Sequence, residues 1–575
     1  MRALGVRLAL GSSLGAMRLA LGRCSGSSSS CPAKSATKPQ QGQKGIPQKG
    51  ISKGQRRQKS RAKKDVSKKA TTKKDVTNKQ TSKKDVSKKD TFKKEVSKAD
   101  ISNGPKPQTD IPTCFPASHW AMPPALTTTL DTWGSAFVRV VRECGRVALT
   151  ARGLVATWPS RDQFHVGTDC SGAEAPVWAL KAMGIAHVHK FSCDIQKFVR
   201  HFIQATSPPQ GPIYEDMLTR ELSDMPGHSI YCCGFPCKAF SLLRRHKTKL
   251  LREASAKPFF AVLRVIRHHM PLVAVLENVK GISTVFKQVF AHLKKIQGYF
   301  IFVLPLDSSD LGEPVSRPRY YFILVRQDVA VSSDLTFLSN LVKSMYSAAR
   351  SEVSGHVSQR MLPAHSPAVR EAQCLKRSRS LAFGRAGVEA KSVLGAEGRQ
   401  ASSELGLTPR QQKLLKAGRE KCRQVGGTDV IIDVSQSEGR GSLRLNGVSP
   451  TLTPGGCVVV DRARRVIIPI EKLMLHGFPI HRMKIPTSTS NTDLASLGGN
   501  TMHVKCVGLA LLMGTVLVNW RHPSARPGVQ PFKGMQFPAT SIALPLEVSH
   551  AETANAQTTG RRTQSKKIAR TFTRK

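Results

Sequence analysis

Residues 231–241 read Tyr231-Cys232-Cys233-Gly234-Phe235-Pro236-Cys237-Lys238-Ala239-Phe240-Ser241. A short apolar strand runs into a small-residue turn that sets one thiol, Cys237, directly after a proline. Pro236 has no backbone N–H, so neither a regular ladder nor a helix runs through it. Gly234 allows the tight bend, and Ala239-Phe240 can anchor its far side. A cysteine held this way stands at the carboxyl end of a strand, where open α/β sheets bind their ligands. An isolated cysteine is by default a buried structural residue. What argues against that here is its company: Glu277-Asn278-Val279 after one strand and Arg317-Pro318-Arg319 before another.

Outward from the turn, strands and helices alternate. Residues 164–169 read as a strand leading to Cys170-Ser171-Gly172-Ala173-Glu174, with a helix after it at 177–183. Residues 188–193 form a second strand that ends at Asp194, and 229–233 a third. A helix at 258–269 precedes a buried strand at 272–276 that feeds Glu277, and apolar strands at 300–304 and 320–325 flank the arginine pair. Upstream, an apolar stripe of Phe137, Val140, Val141 and Val147 predicts a helix over 129–156. This alternation predicts an α/β fold, a doubly wound and mostly parallel sheet. The pattern fades over 327–440, where Ser, Ala, Gly and Arg dominate around the basic run 376–379. It returns at Ser449-Pro450-Thr451-Leu452-Thr453, at 466–469 and at 473–479, and ends in a helix at 507–520.

The 575 residues carry 89 Lys+Arg against 38 Asp+Glu, a formal net charge of +51. Residues 1–110 hold 28 of those bases and 7 acids, so +30 remains on the other 465 residues and the basicity is not a tail effect. Such a body suits a polyanion, most simply nucleic acid; solubility alone is the bland alternative. The 13 cysteines form no C-x-x-C, which speaks against zinc ribbons, redox pairs and a disulfide scaffold, and for a reducing compartment. No metal site is expected. No apolar run reaches the ~20 residues that span a bilayer.

Residues 1–58 lack any acid and begin with Arg2, Arg7, Arg18 and Arg23 among Leu, Ala, Gly and Ser, like an organelle transit peptide (residues 1–30) or a basic arm. Residues 63–102 repeat every ten positions, KKDVSKKATT, KKDVTNKQTS, KKDVSKKDTF and KKEVSKADIS, with too little apolar surface for a core. These lysines are expected to be disordered and to meet phosphates, or to serve only as a solvated spacer. The expected location is the nucleus, with a mitochondrion or plastid as the alternative.

Gly172 lies between a strand and a helix, and Asp194 closes the next strand 22 positions later. That separation suits a carboxylate on ribose hydroxyls. The Gly-x-Gly-x-x-Gly of dinucleotide sites is incomplete, which favours a smaller nucleoside such as S-adenosylmethionine. With Cys237, Glu277, Arg317 and Arg319 added, the chain resembles the C5 cytosine-specific DNA methyltransferase family over 166–325 and 450–520. Gly234-Phe235-Pro236-Cys237 is similar to its Pro-Cys loop, Leu276-Glu277-Asn278-Val279 to its Glu-Asn-Val strand end, and Arg317-Pro318-Arg319 to its Arg-x-Arg strand. Ser449-Pro450-Thr451-Leu452-Thr453, Leu475-His476-Gly477-Phe478-Pro479 and Gly499-Asn500-Thr501 resemble its closing motifs, in order.

The resemblance implies a class I S-adenosylmethionine methyltransferase fold and a reaction on C5 of cytosine in DNA. Cys237 would be the nucleophile that adds to C6, Glu277 would contact N3 and N4, Arg319 would grip O2, and Arg317 would hold the geometry. The target base would leave the duplex to reach the thiol. A thiol titrates near pH 8.5, so a cationic setting must favour the thiolate. Cofactor contacts would fall to Cys170, Ser171, Gly172, Asp194, Asp216, Met217, Pro236, Asn500 and Thr501. The domain plan that follows is a basic region 1–110, a catalytic part 111–326, a target recognition insert 327–440, a second catalytic part 441–522 and a basic tail 523–575. The family's Phe-x-Gly-x-Gly appears as Cys170-Ser171-Gly172-Ala173-Glu174, which lacks the aromatic and the second glycine; Lys238 and Val315 replace two glutamines. Two other readings stay open: a methyltransferase of the same family acting on tRNA, and a catalytically degenerate nucleic-acid-binding homologue.

Overall fold

The computed structural model describes residues 113–238, 240, 251, 254–374, 406–437, 442–529 and 539–543. The repeats at 63–102, Ala239, Ser241, the run 376–379 and the basic pairs at 561–567 lie outside them.

Eight strands form the main sheet: β1 (His165–Asp169), β2 (Val188–Cys193), β3 (Ile213–Tyr214), β4 (Ile230–Cys233), β5 (Val273–Val279), β6 (Tyr299–Leu306), β7 (Arg319–Arg326) and a late β12 (Ser541–Ala543). Their order is β12-β6-β7-β5-β4-β1-β2-β3. Neighbours pair in parallel except at β7, which runs antiparallel to both β5 and β6. The mostly parallel, doubly wound sheet expected from the alternation is thus the observed architecture.

Both faces of this sheet are covered, which is why its strands read as continuous apolar runs. On β5, Val273 and Val275 enter one core cluster with the helices Pro124–Thr150, Ala175–Ala182 and Val504–Val516. Ala274 and Leu276 enter the other, with Lys257–His269 and Phe286–Leu293. Alternate residues of a strand point to opposite faces, so one short segment serves two cores.

Two helix expectations need correction. The first helix spans Pro124–Thr150 rather than 129–156, with a proline in its first turn where the missing N–H does no harm. Its buried stripe is Leu126, Leu130, Phe137, Val141 and Cys144, whereas Val140 is 43% exposed because it lies one step around the helix from Val141. The last helix is Val504–Val516, not 507–520, since the His503 side chain accepts from Lys505 N and fixes the start.

A second, antiparallel sheet, ordered β11-β10-β8-β9, is built from β8 (Ile431–Asp433), β9 (Leu443–Arg444), β10 (Val458–Val460) and β11 (Arg465–Val466). It draws strands from both sides of residue 440. The helix Leu335–Ala349 instead sends Phe337, Leu338 and Leu341 into the main core. β12, in the stretch expected as a tail, pairs with the open edge of β6.

The chain winds outward from β1 to β2 and β3, then returns to β4 on the other side of β1. Where strand order reverses, the loops after β1 and β4 diverge and leave a crevice at the carboxyl edge. Because β7 is antiparallel, its first residue lies at that same edge, with Arg319 opposite Val279.

Candidate active site

The Pro-Cys turn leaves β4 at this crevice. Phe235 is buried and packs edge-on against Phe240 at 6.0 Å and at a tilt against Phe259 at 5.4 Å, so the turn is pinned on both sides. Phe240 N donates to Cys237 O at 2.9 Å, and Asn278 Nδ2 reaches across from β5 to Phe235 O at 3.0 Å. Half-buried Pro236 leads to Cys237, whose side chain reaches solvent.

Glu277 and Arg319 face this thiol from β5 and β7, with Arg319 Nε 2.9 Å from Glu277 Oε1. A Cβ at Gly234 would stand 3.5 Å from Glu277 Oε2 and from Met502, so the turn, the acid and the closing segment converge there. Although its tip is open, protein crowds the base of Cys237. Burial pushes the thiol up, the Glu277 carboxylate adds to that, and Arg319 and Arg317 pull it back down.

Arg317 is buried, and its guanidinium is held by carbonyls. Nη1 donates to Leu452 O and Nη2 to Gly499 O, each at 3.3 Å, and its backbone N–H donates to Asp307 Oδ1 at 2.7 Å. Burial foremost, then the Arg319 charge, brings this guanidinium down to about 9. Its bonds tie the Arg-x-Arg segment to the first and last of the three closing motifs. Gly499 is required at that junction, because a Cβ would come within 2.1 Å of Pro454 N.

The first loop lines the other half of the crevice. Cys170, Gly172 and Glu174 all adopt positive φ, at 49°, 55° and 60°. Gly172 N donates to Asp194 Oδ2 at 3.1 Å, and Gln196 N to Asp194 Oδ1 at 3.0 Å. Burial pushes the Asp194 carboxyl up against those two bonds. Ser171 Oγ lies 2.7 Å from Thr168 Oγ1 and accepts from Cys193 N. Cys170 Sγ meets Met217 Sδ at 3.7 Å, which brings the half-buried Asp216 to the same rim; Asp216 Oδ1 accepts from Leu218 N. Open space faces Gly172, where a Cβ would touch nothing within 4 Å. Asn500 is exposed at the end of the helix Asn491–Asn500, and Thr501 is buried, its Oγ1 lacking a hydrogen-bond partner among the described residues. Both join the site through Gly499.

The profile described as C-5 cytosine-specific DNA methylase matches residues 170–508. The chain belongs to this family. Among curated methylases it is 25% identical over 456 residues to the DNA (cytosine-5-)-methyltransferase DMT5 of Verticillium dahliae, covering 61% of this chain and 19% of that protein. It is 31% identical over 113 residues to the type II methyltransferase M.HhaI of Haemophilus parahaemolyticus, covering 19% of this chain and 34% of that enzyme. The matched regions thus span a fifth to a third of these relatives' length. Among solved structures, the Dnmt2 methyltransferase of S. pombe aligns over 61% of this chain and 98% of its own, with 16% identity and a TM-score of 0.35.

Two buried acids of the chain escaped the sequence reading as site residues. Asp169, at the end of β1, accepts both ends of the Arg220 guanidinium at 2.6 and 2.5 Å and the Tyr231 hydroxyl at 2.6 Å, bracing β1 against β4 beneath the crevice. Glu174 stands where the family's second glycine belongs and is fully buried. An acid following an apolar strand was the available signal for Asp169; nothing in the local sequence announces the burial of Glu174.

Proposed function

We propose that the chain is a DNA (cytosine-5)-methyltransferase that uses S-adenosylmethionine and a transient bond between Cys237 and cytosine C6. The observation that carries this reading is the convergence of Cys237, Glu277, Arg319 and Arg317 at one sheet edge, beside the open space that faces Gly172. The positively charged body supports DNA as the partner.

The groups around this space suit the cofactor: open room at Gly172, carboxylates at Asp194 and Asp216, and the Thr501 hydroxyl, which has no hydrogen-bond partner among the described residues. Residues 170–172, Asp194, Asp216 and Met217 would hold it, with Pro236, Asn500 and Thr501 closing the far side. When bound there, S-adenosylmethionine supplies a methyl group on a sulfonium centre. The protein's own task is to make cytosine C5 a nucleophile. Cys237 as thiolate adds to C6, turning the C5–C6 edge of the ring into an enamine. Glu277 as an acid donates to N3, and Arg319 then turns from Glu277 to O2. One proton on Glu277 has two effects, because it stabilises charge on the ring and removes the anion that disfavours the thiolate. Loss of the C5 proton afterwards expels the sulfur.

The test is incubation with labelled S-adenosylmethionine and either duplex DNA or tRNA. Label is expected on DNA cytosine, and 5-fluorocytosine duplexes are expected to trap an adduct at Cys237. Cys237→Ala should abolish transfer while DNA binding persists; a trapped adduct elsewhere, or undiminished transfer by this variant, overturns the reading.

A further inference from the structure

Glu174 ends the cofactor loop in the left-handed region, at φ 60°, a conformation that a residue with a side chain enters only under strain. Its side chain turns inward rather than out to water. Oε1 accepts from Thr168 Oγ1 on β1 at 2.8 Å and from Ser192 Oγ on β2 at 2.6 Å. Through Thr168 the same network reaches Ser171, in the middle of the loop. A single carboxyl oxygen therefore fastens the loop to both strands that flank it. Oε2 is buried and has no hydrogen-bond partner among the described residues.

We propose that Glu174 is a positioning residue for S-adenosylmethionine: as a neutral acid it pins the loop 170–174 in its cofactor-binding shape, and losing its proton releases that shape. The proposal rests on the cofactor assignment above. A neutral carboxyl leaves one O–H unpaired, whereas a carboxylate there would be a buried anion with no paired cation, a far costlier state.

Among the described residues, the groups around it supply no such partner. From β2, His189 Nε2 lies 3.7 Å from Oε1, but burial takes that imidazole down to about 3 and keeps it uncharged. Asp194, beyond β2, is itself acidic and opposes a second negative charge. Cys232 on β4 is a buried thiol that burial keeps protonated. Lys181, on the helix that Glu174 begins, feels the Glu174 charge but forms no ion pair with it; its ammonium donates to Ser207 Oγ at 3.1 Å and lies over the Trp178 ring at 4.3 Å. Burial accordingly raises the Glu174 carboxyl to about 7, against the pull of its three hydroxyl neighbours. Above that pH the charged side chain gains by leaving for water. The bonds from Thr168 and Ser192 to Oε1 are then lost, and with them the side-chain anchor of the left-handed turn beside Ser171 and Gly172. A glycine would keep this turn at any pH; the glutamate makes it depend on a proton.

Calorimetric titration of the full chain with S-adenosylmethionine between pH 6 and 8.5 tests the idea, with Glu174→Gln as the non-ionisable comparator and Glu174→Gly in its place if the first does not fold. The wild-type Kd should be level to about pH 7 and then weaken by roughly tenfold per pH unit, as expected when binding takes up one proton. The ratio of wild type to variant cancels titration of the cofactor's own amine, whose type ionises at about 7.7–8.0. A ratio that stays constant over the whole range overturns the proposal. A second readout needs no cofactor. The folded acid titrates at about 7, against 4.5 for an unperturbed glutamate, so wild-type stability relative to the variant should fall as pH rises from about 4.5 to about 7 and level off above. A constant gap in unfolding midpoint overturns the proposal equally. If neither protein binds the cofactor at any pH, the functional assignment falls and takes this one with it; if both bind with one shared profile, only the role of Glu174 falls.

Discussion

Cys237 sits in a field set by three side chains, and that field is testable one residue at a time. Glu277 raises the thiol and the two arginines lower it. Removing the carboxylate in Glu277→Gln must therefore shift the thiol downwards, so alkylation of Cys237 by iodoacetamide at neutral pH should speed up. Methyl transfer should meanwhile fall by about 10²–10⁴, the usual contribution of a positioned acid. Slower alkylation in that variant would contradict the assigned geometry. Cys237, Glu277 and Arg319 were legible in the sequence because each lies in a short motif whose meaning is local. Asp169 was not, because its partners Arg220 and Tyr231 stand 51 and 62 positions away. Glu174 escaped for a related reason: an acid standing in for a missing glycine reads as a surface residue until the strands on either side tuck it under the loop.

At the scale of elements, the strand β5 does more than carry Glu277. Its next residue, Asn278, is fully buried, donates to Phe235 O and accepts from Val279 N. Asn278→Ala leaves the Phe235 carbonyl without that donor, at a cost of about 1–3 kcal/mol. The denaturant midpoint should drop accordingly, and kcat should fall while cofactor affinity holds, because the turn that aims Cys237 loses its tether. Six of the eight main-sheet strands were readable to within a residue or three, since each is an apolar run largely buried on both faces; β3 and β12, of two and three residues, were not. The small sheet was not, because strands of two or three residues are too short for alternation to register. The antiparallel β7 was equally hidden: strand direction depends on connections, not on composition.

Across the whole molecule, residues 524–529 and 539–543 pack into the folded body. Arg326 is buried, forks onto Asp328, and donates to Ser524 O at 2.9 Å and Val529 O at 3.2 Å. β12 then closes the edge of β6, and an uncovered edge is a template for association. A chain ended at 523 should lose roughly 3 kcal/mol, two charge-assisted hydrogen bonds' worth, and aggregate on heating. A chain ended at 543 should do neither, and equal melting of the two would refute the arrangement. At the other end the expected contribution is charge. Deleting residues 1–110 removes 28 basic and 7 acidic side chains. The log–log dependence of DNA affinity on salt should then flatten in proportion to the number of phosphates those bases neutralise.

The guanidinium at 317 waits for carbonyls at 452 and 499 before its grip is complete. A ribosome adds about 5–20 residues each second, so roughly 10–40 seconds pass between the appearance of that arginine and of its last acceptor. Through that interval the emerging polypeptide has no working pocket. Catalytic competence arrives late in synthesis, and stalled chains that stop before and after Gly499, compared for adduct formation on 5-fluorocytosine, would time its arrival.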